Sequence, residues 1–287
     1  MNKKLFSYLK ISIISILLSI YFFQTYLTIK YSGTLGGISK KISSYKKATG
    51  LDYDTRTKYE IYNDLKNINE DVVVTLPPSF HLEYFGNQFF EDNLFPLSGI
   101  SNKKTINCNE NGYFSIYQSD RYGFNNPDNE WDSNETEYLL VGDSFTHGNC
   151  VNRPYDIGSK LRILSNKNVL NLGYAANGPL FQYATLREYL NQNIKNIIWI
   201  YSENDVYNLN RDLKSKILVK YLNDENFSQN LKFKQIKIDR ILNSFLLKVE
   251  QHEAKKLLND KKEKNSLSYK IEKFLTLKNI RDLFLEK

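Results

Sequence analysis

The chain has 287 residues, 41% of them hydrophobic, with a formal charge of +7, two cysteines and three histidines. That is room for one fair-sized α/β domain plus extensions, with too few ligands for a zinc module. The positive charge comes mostly from Lys spread through both ends, and without zinc spacing, a helix-turn-helix or an RNP-like segment, nucleic acid is not an expected partner.

Met1-Asn2-Lys3-Lys4 precedes a strongly apolar stretch from Leu5 to Leu27, broken by Lys10 and centred on Ile11 to Phe23. Its length suits a bilayer span. A cleaved signal peptide has a shorter apolar region and a small-residue cleavage site, and neither is present. The sequence therefore predicts a single-pass anchor over residues 1–30 in preference to a buried globular helix, since few core helices are apolar all round. Orientation stays open, because Lys3, Lys4 and Lys10 on one side face Lys30, Lys40, Lys41, Lys46 and Lys47 on the other.

Residues 31–135 read as a membrane-proximal connector with a helical patch from Thr57 to Ile68. Asp71 to Leu76 reads as a strand stopped by Pro77-Pro78, because proline cannot donate to a ladder. A hairpin is expected from Thr105–Cys108 and Tyr113–Tyr117 around Asn111-Gly112, where glycine supplies the positive φ of a tight turn. Cys108 and Cys150 are far apart in sequence; they either pair in an oxidising compartment or remain two buried thiols.

From residue 136 a pattern repeats. Tyr138 to Val141 reads as a buried strand that runs into Gly142-Asp143-Ser144-Phe145-Thr146-His147-Gly148, followed by a helix from Pro154 to Leu164. Val169 to Leu172 is a second such strand, leading to Gly173–Pro179 and a helix from Leu180 to Leu190. Ile197 to Tyr201 is a third buried strand, followed by Ser202-Glu203-Asn204-Asp205. This alternation predicts a doubly wound α/β architecture with a parallel sheet. Ligands bind at the carboxyl ends of such strands, which makes Ser144 the candidate nucleophile. Each motif also has a plain backbone explanation: a tight turn, a glycine loop, a helix cap.

Taken together, the three strand-then-motif units over Tyr138 to about Leu209 resemble the SGNH, or GDSL-like, hydrolases. The resemblance implies a flavodoxin-like three-layer α/β/α fold, with 136–210 as its core and 211–287 as a helical segment. It also implies that Ser144 attacks an acyl carbonyl while the N–H groups of Ser144 and Ala176 and the Asn204 side chain hold the oxyanion. Asp143 orients the turn. Two positions depart from the family pattern. Ala176 stands where the loop glycine belongs, an exchange that preserves the N–H but is strained if φ is positive there. Ser202 replaces the glycine of Gly-x-Asn-Asp.

Beyond Asn204 the sequence reads as helices over Asp205–Tyr221, Ser228–Lys262 and Ser268–Phe284, with no further strand. The Asp-x-x-His that supplies the family's base has no counterpart. His252 lies on a charged helix, His147 in the motif turn and His81 just after the double proline. The expectation is an SGNH fold incomplete at its C-terminus. The expected function is a membrane-anchored esterase or O-acyltransferase, needing no cofactor, on an acyl ester such as O-acetyl groups of envelope polysaccharide, with its domain periplasmic or extracellular. The alternative is a non-catalytic, membrane-tethered binding or scaffold protein derived from the same fold.

Overall fold

The computed structural model describes residues 3–30, 36–85, 94–190 and 193–265, together with 267, 271, 274–277 and 280. It divides into two compact units, residues 1–53 with 252–287, and residues 54–251.

In the first unit, α1 (Lys3–Lys30) contains Phe6–Leu27, 22 residues of mean hydropathy 1.8 that are exposed along most of their length, with Gln24 and Leu27 buried. At about 1.5 Å per residue it is long and apolar enough to cross a membrane. The polar α2 (Gly36–Thr49) ends at Gly50, whose φ of 73° brings its N–H back to the Lys46 carbonyl.

The second unit holds two three-stranded sheets. The first is built from β1 (Val72–Val74), β2 (Lys104–Ile106) and β3 (Ile116–Gln118), in that order, with β1 parallel to β2 and β2 antiparallel to β3. It follows α3 (Lys58–Asn67), opened by a reciprocal capping box between Thr57 and Glu60. The double proline ends the β1 segment and also starts a helix, α4 (Pro78–Phe85), where a missing N–H is harmless. The expected tight hairpin is a wider loop: the ladder closes at Ile106↔Ile116, and Asn109 turns its side chain onto the Gly112 N–H.

The second sheet is fully parallel. Its strands are β4 (Thr136–Gly142), β5 (Val169–Asn171) and β6 (Ile194–Ile200), in the order β5-β4-β6. After β4 come α5 (Ser144–His147) and α6 (Ile157–Ser165); after β5 comes α7 (Pro179–Tyr189). After β6 come α8 (Asn204–Asp212), α9 (Lys216–Asn223) and α10 (Gln235–Asn265). The chain is thus a mixed α/β protein with parallel strands and an N-terminal apolar helix. Leu139, Val141, Leu170 and Leu172 pack with Phe181, Ala184 and Tyr189 of α7 in one core. From α10 the same core receives Ile238, Ile241, Leu242, Phe245 and Leu246, the i, i+3, i+4 stripe of an amphipathic helix.

Several boundaries differ from the sequence reading for local reasons. The helix expected from Pro154 begins at Ile157, because Asp156 caps it by accepting from the Ser159 N–H at 2.9 Å. The single helix expected over Asp205–Tyr221 is two, divided where Ser215 caps α9. The helix expected from Ser228 starts at Gln235, because residues 228–231 instead wrap the buried Glu188 carboxylate, which accepts from Ser228 Oγ, Gln229 N and Leu231 N. The helix expected over 268–284 lies largely outside the described residues. The largest correction concerns β6. It is an edge strand paired only with β4 among the described residues, and Ile197, Ile198 and Trp199 on it are exposed rather than buried.

Candidate active site

Three loops meet at the carboxyl end of the parallel sheet. The first is the turn after β4. Gly142 has no room for a side chain: a Cβ there would lie 2.1 Å from Thr146 Oγ1 and 2.7 Å from the Ile200 carbonyl. Asp143 is fully buried and its Oδ1 accepts from the Phe145 N–H at 3.1 Å, capping α5. Ser144 is the first residue of α5 and is partly exposed. Among the described residues its Oγ has no hydrogen-bond partner. The short helix closes at Gly148, left-handed at φ 74°, where a Cβ would strike the Asp156 Cβ at 2.6 Å.

The second loop follows β5. Asn171 Oδ1 accepts from Gly173 N at 2.8 Å, and its Nδ2 donates to the Thr146 carbonyl. Gly173 is pressed so close to Thr146 and His147 that any side chain would clash. Ala176 has φ 62°, the strained case that the alanine-for-glycine exchange raised, and Arg211 Nη2 holds its carbonyl at 2.8 Å. The loop thus sits against α5 at Gly173 while its Ala176 end is pinned to α8.

The third loop follows β6. Asn204 Nδ2 donates to Asp143 Oδ2 at 3.2 Å, which leaves its second N–H uncommitted to that carboxylate. Ser202, at the position where the resemblance puts a glycine, makes contacts that sequence reasoning did not assign. Its hydroxyl has three acceptors in reach: Asp143 Oδ2 at 2.9 Å, Asp205 Oδ2 at 3.2 Å and Asn204 Oδ1. With one proton it serves one acceptor at a time. Buried Asp205 accepts from Ser202 N at 2.8 Å and from Gln182 Nε2 at 2.7 Å, and Trp199 Nε1 donates to the same glutamine. The only sequence signal for Ser202 was the departure from the family motif.

No hydrogen bond joins Ser144 Oγ to a histidine among the described residues. His147 is fully buried, its Nε2 within 3.0 Å of Tyr117 Oη and its ring stacked on Tyr174 at 4.7 Å. Burial first, and then the nearby Lys58 charge, push it down to about 3. His81 is buried against Phe245 and pushed down to about 3 by burial as well. His252 is exposed on α10 and belongs to the other compact unit. Cys108 and Cys150 form a disulfide that joins the β2–β3 loop to the loop after α5. No group of three or more His, Cys, Asp or Glu among the described residues is placed to hold a metal.

Beside these loops runs an open groove of about 770 Å³. Phe145, Ile157, Tyr201 and Tyr207 line it together with Ser202, Glu203 and Asn204, and Ser202 and Asn204 also donate to the Asp143 carboxylate. No family model, curated protein or solved structure matches this chain.

Proposed function

We propose that the chain is a membrane-anchored, SGNH-type serine ester hydrolase or O-acyltransferase with a flavodoxin-like three-layer core, acting on O-acyl groups of an envelope polysaccharide. The observation that carries this reading is the Asp143 carboxylate, which ties the turn bearing Ser144 to the loop bearing Asn204. In the reaction Ser144 Oγ adds to the acyl carbonyl and its proton passes to solvent water, which returns a proton to the leaving alcohol. The oxyanion is held by the N–H groups of Ser144 and Ala176 and by the second N–H of Asn204. Collapse expels the alcohol, which takes up a proton, and leaves an acyl-serine for water or a second hydroxyl to attack.

The disulfide supports an external domain, because such bonds persist in oxidising compartments. Together with the apolar α1, this supports an N-terminus inside and the 54–251 unit outside. Protease added to spheroplasts, whose outer layers are removed, then degrades that unit; full protection there places it inside.

Fluorophosphonate labelling of the detergent-solubilised full chain tests the chemistry. Adduct at Ser144 that is lost in Ser144→Ala is the expected result, and no adduct in folded protein defeats the enzyme reading. A second reading, a non-catalytic binding protein on the same fold, is favoured by one observation: no described residue accepts a proton from Ser144 Oγ.

A further inference from the structure

We propose that the groove beside Ser144 is a subsite for a neutral pyranose ring, the alcohol portion of the ester; this rests on the serine-ester reading of the same site. Phe145, the residue after Ser144, and Asn204 both line the groove, which puts it next to the turn that bears Ser144 and open to the group bonded to an attacked carbonyl. Two kinds of group compete for it, an acyl chain and a sugar.

An acyl chain gains about 0.8 kcal/mol per methylene only when water is excluded on all sides. This groove is open, and its aromatic walls face solvent, with Phe145 63%, Tyr201 57% and Tyr207 73% exposed. A pyranose has a different requirement. Its C–H face packs on an aromatic ring, whose π face is negative, while the ring edge needs donors and acceptors. The groove supplies both. Three aromatic side chains, Phe145, Tyr201 and Tyr207, line it together with the polar Ser202, Glu203 and Asn204.

Charge narrows the class. Although the chain carries +7 overall, the one charged residue in the lining is Glu203. A carboxylate there accepts from sugar hydroxyls and repels uronates and phosphodiesters. The favoured ligand is therefore a neutral glycan.

The test uses the full chain in detergent, carrying Ser144→Ala so that nothing is consumed, with saturation-transfer NMR and calorimetry as readouts. The probes are cellohexaose, xylohexaose and chitohexaose, with hexagalacturonate as the anionic comparison. At least one neutral hexamer is expected to bind, and Tyr201→Ala or Tyr207→Ala to weaken it roughly three- to tenfold, the range of one aromatic contact. Both rings are exposed, and circular dichroism checks that the variants fold. Three results overturn the proposal: no binding of any neutral hexamer, tighter binding of hexagalacturonate, or binding that both tyrosine variants leave unchanged.

Fluorophosphonate labelling of the unmutated chain separates this from failure of the enzyme reading. Sugar binding without labelling upholds the subsite on a non-catalytic protein. Labelling without sugar binding, with octanoyl esters cleaved faster than acetyl esters, makes the groove an acyl site and refutes the sugar.

Discussion

The bond between Cys108 and Cys150 closes a loop with a sequence separation of 42, and that loop contains β3, β4 and Ser144. Opening it releases the loop-closure entropy of the unfolded chain. The chain-entropy relation gives about 4 kcal/mol for a loop of this length at 25 °C. Cys150 is buried, so its replacement adds a small packing loss. Trp131 and Trp199 both lie in the 54–251 unit and report its unfolding by fluorescence. With a urea slope of about 2 kcal/mol/M, the double variant Cys108→Ser/Cys150→Ser should shift the midpoint down by roughly 2 M. Reducing the unmutated protein should reproduce most of the shift, which separates the cross-link from the lost side chains. A loss below about 1 kcal/mol in both experiments refutes the reasoning.

Four further outcomes are expected. Ala176→Gly relieves a left-handed alanine and should stabilise the unit by about 0.5–1 kcal/mol in the same assay, the strain relieved exceeding the flexibility added to the unfolded chain. Asp143→Asn presents an amide N–H to the Asn204 amide where a carboxylate oxygen stood, so it should destabilise by roughly 1–3 kcal/mol and slow Ser144 labelling at least tenfold. On acidification, His81 and His147, held neutral down to about 3, take up protons first in the unfolded chain, so stability falls as pH drops below about 6.5. Buried Asp120, pushed up to about 6, works the opposite way between about 6 and 3.8; urea midpoints at pH 7 and 4.5 should still show a net loss of a few kcal/mol. With no histidine at Ser144, the rate of fluorophosphonate labelling should rise about tenfold per pH unit between 6 and 9, whereas a plateau above pH 7 would mean that an imidazole is at work.

Where a strand or loop is specified by its own residues, the sequence revealed it. The apolar run Tyr138 to Val141 lies within β4, and the glycines at 142 and 173 sit where neighbouring backbone leaves no space. Features set by partners distant in sequence were hidden. The start of β6 at Ile194 takes in Lys195 and Asn196, which an edge strand tolerates and a buried one does not. The break between α8 and α9 lies inside continuous helical spacing and becomes visible only through the Ser215 cap. For Ala176 the sequence posed the question of φ, but the positive answer accompanies the Arg211 contact to its carbonyl, 35 residues away.

Ser202 shows most directly how a departure from a motif changes the site. A glycine there would leave Asp143 Oδ2 with Asn204 alone; the hydroxyl adds a second donor, and with the Ser202 N–H on Asp205 the residue connects Asp143 to that buried carboxylate. Because Asp205 is itself held by Gln182, the chain of contacts runs from the nucleophile turn through the β6 loop into α7. Such a network fixes positions without supplying a proton acceptor, since each carboxylate is engaged by donors other than Ser144. On the proposed reading, the site would hold an oxyanion beside a serine that no neighbouring carboxylate activates. Oxyanion donors in general stabilise a bound carbonyl whether or not attack follows, so the proposed recognition of an ester and its proposed cleavage can be tested separately.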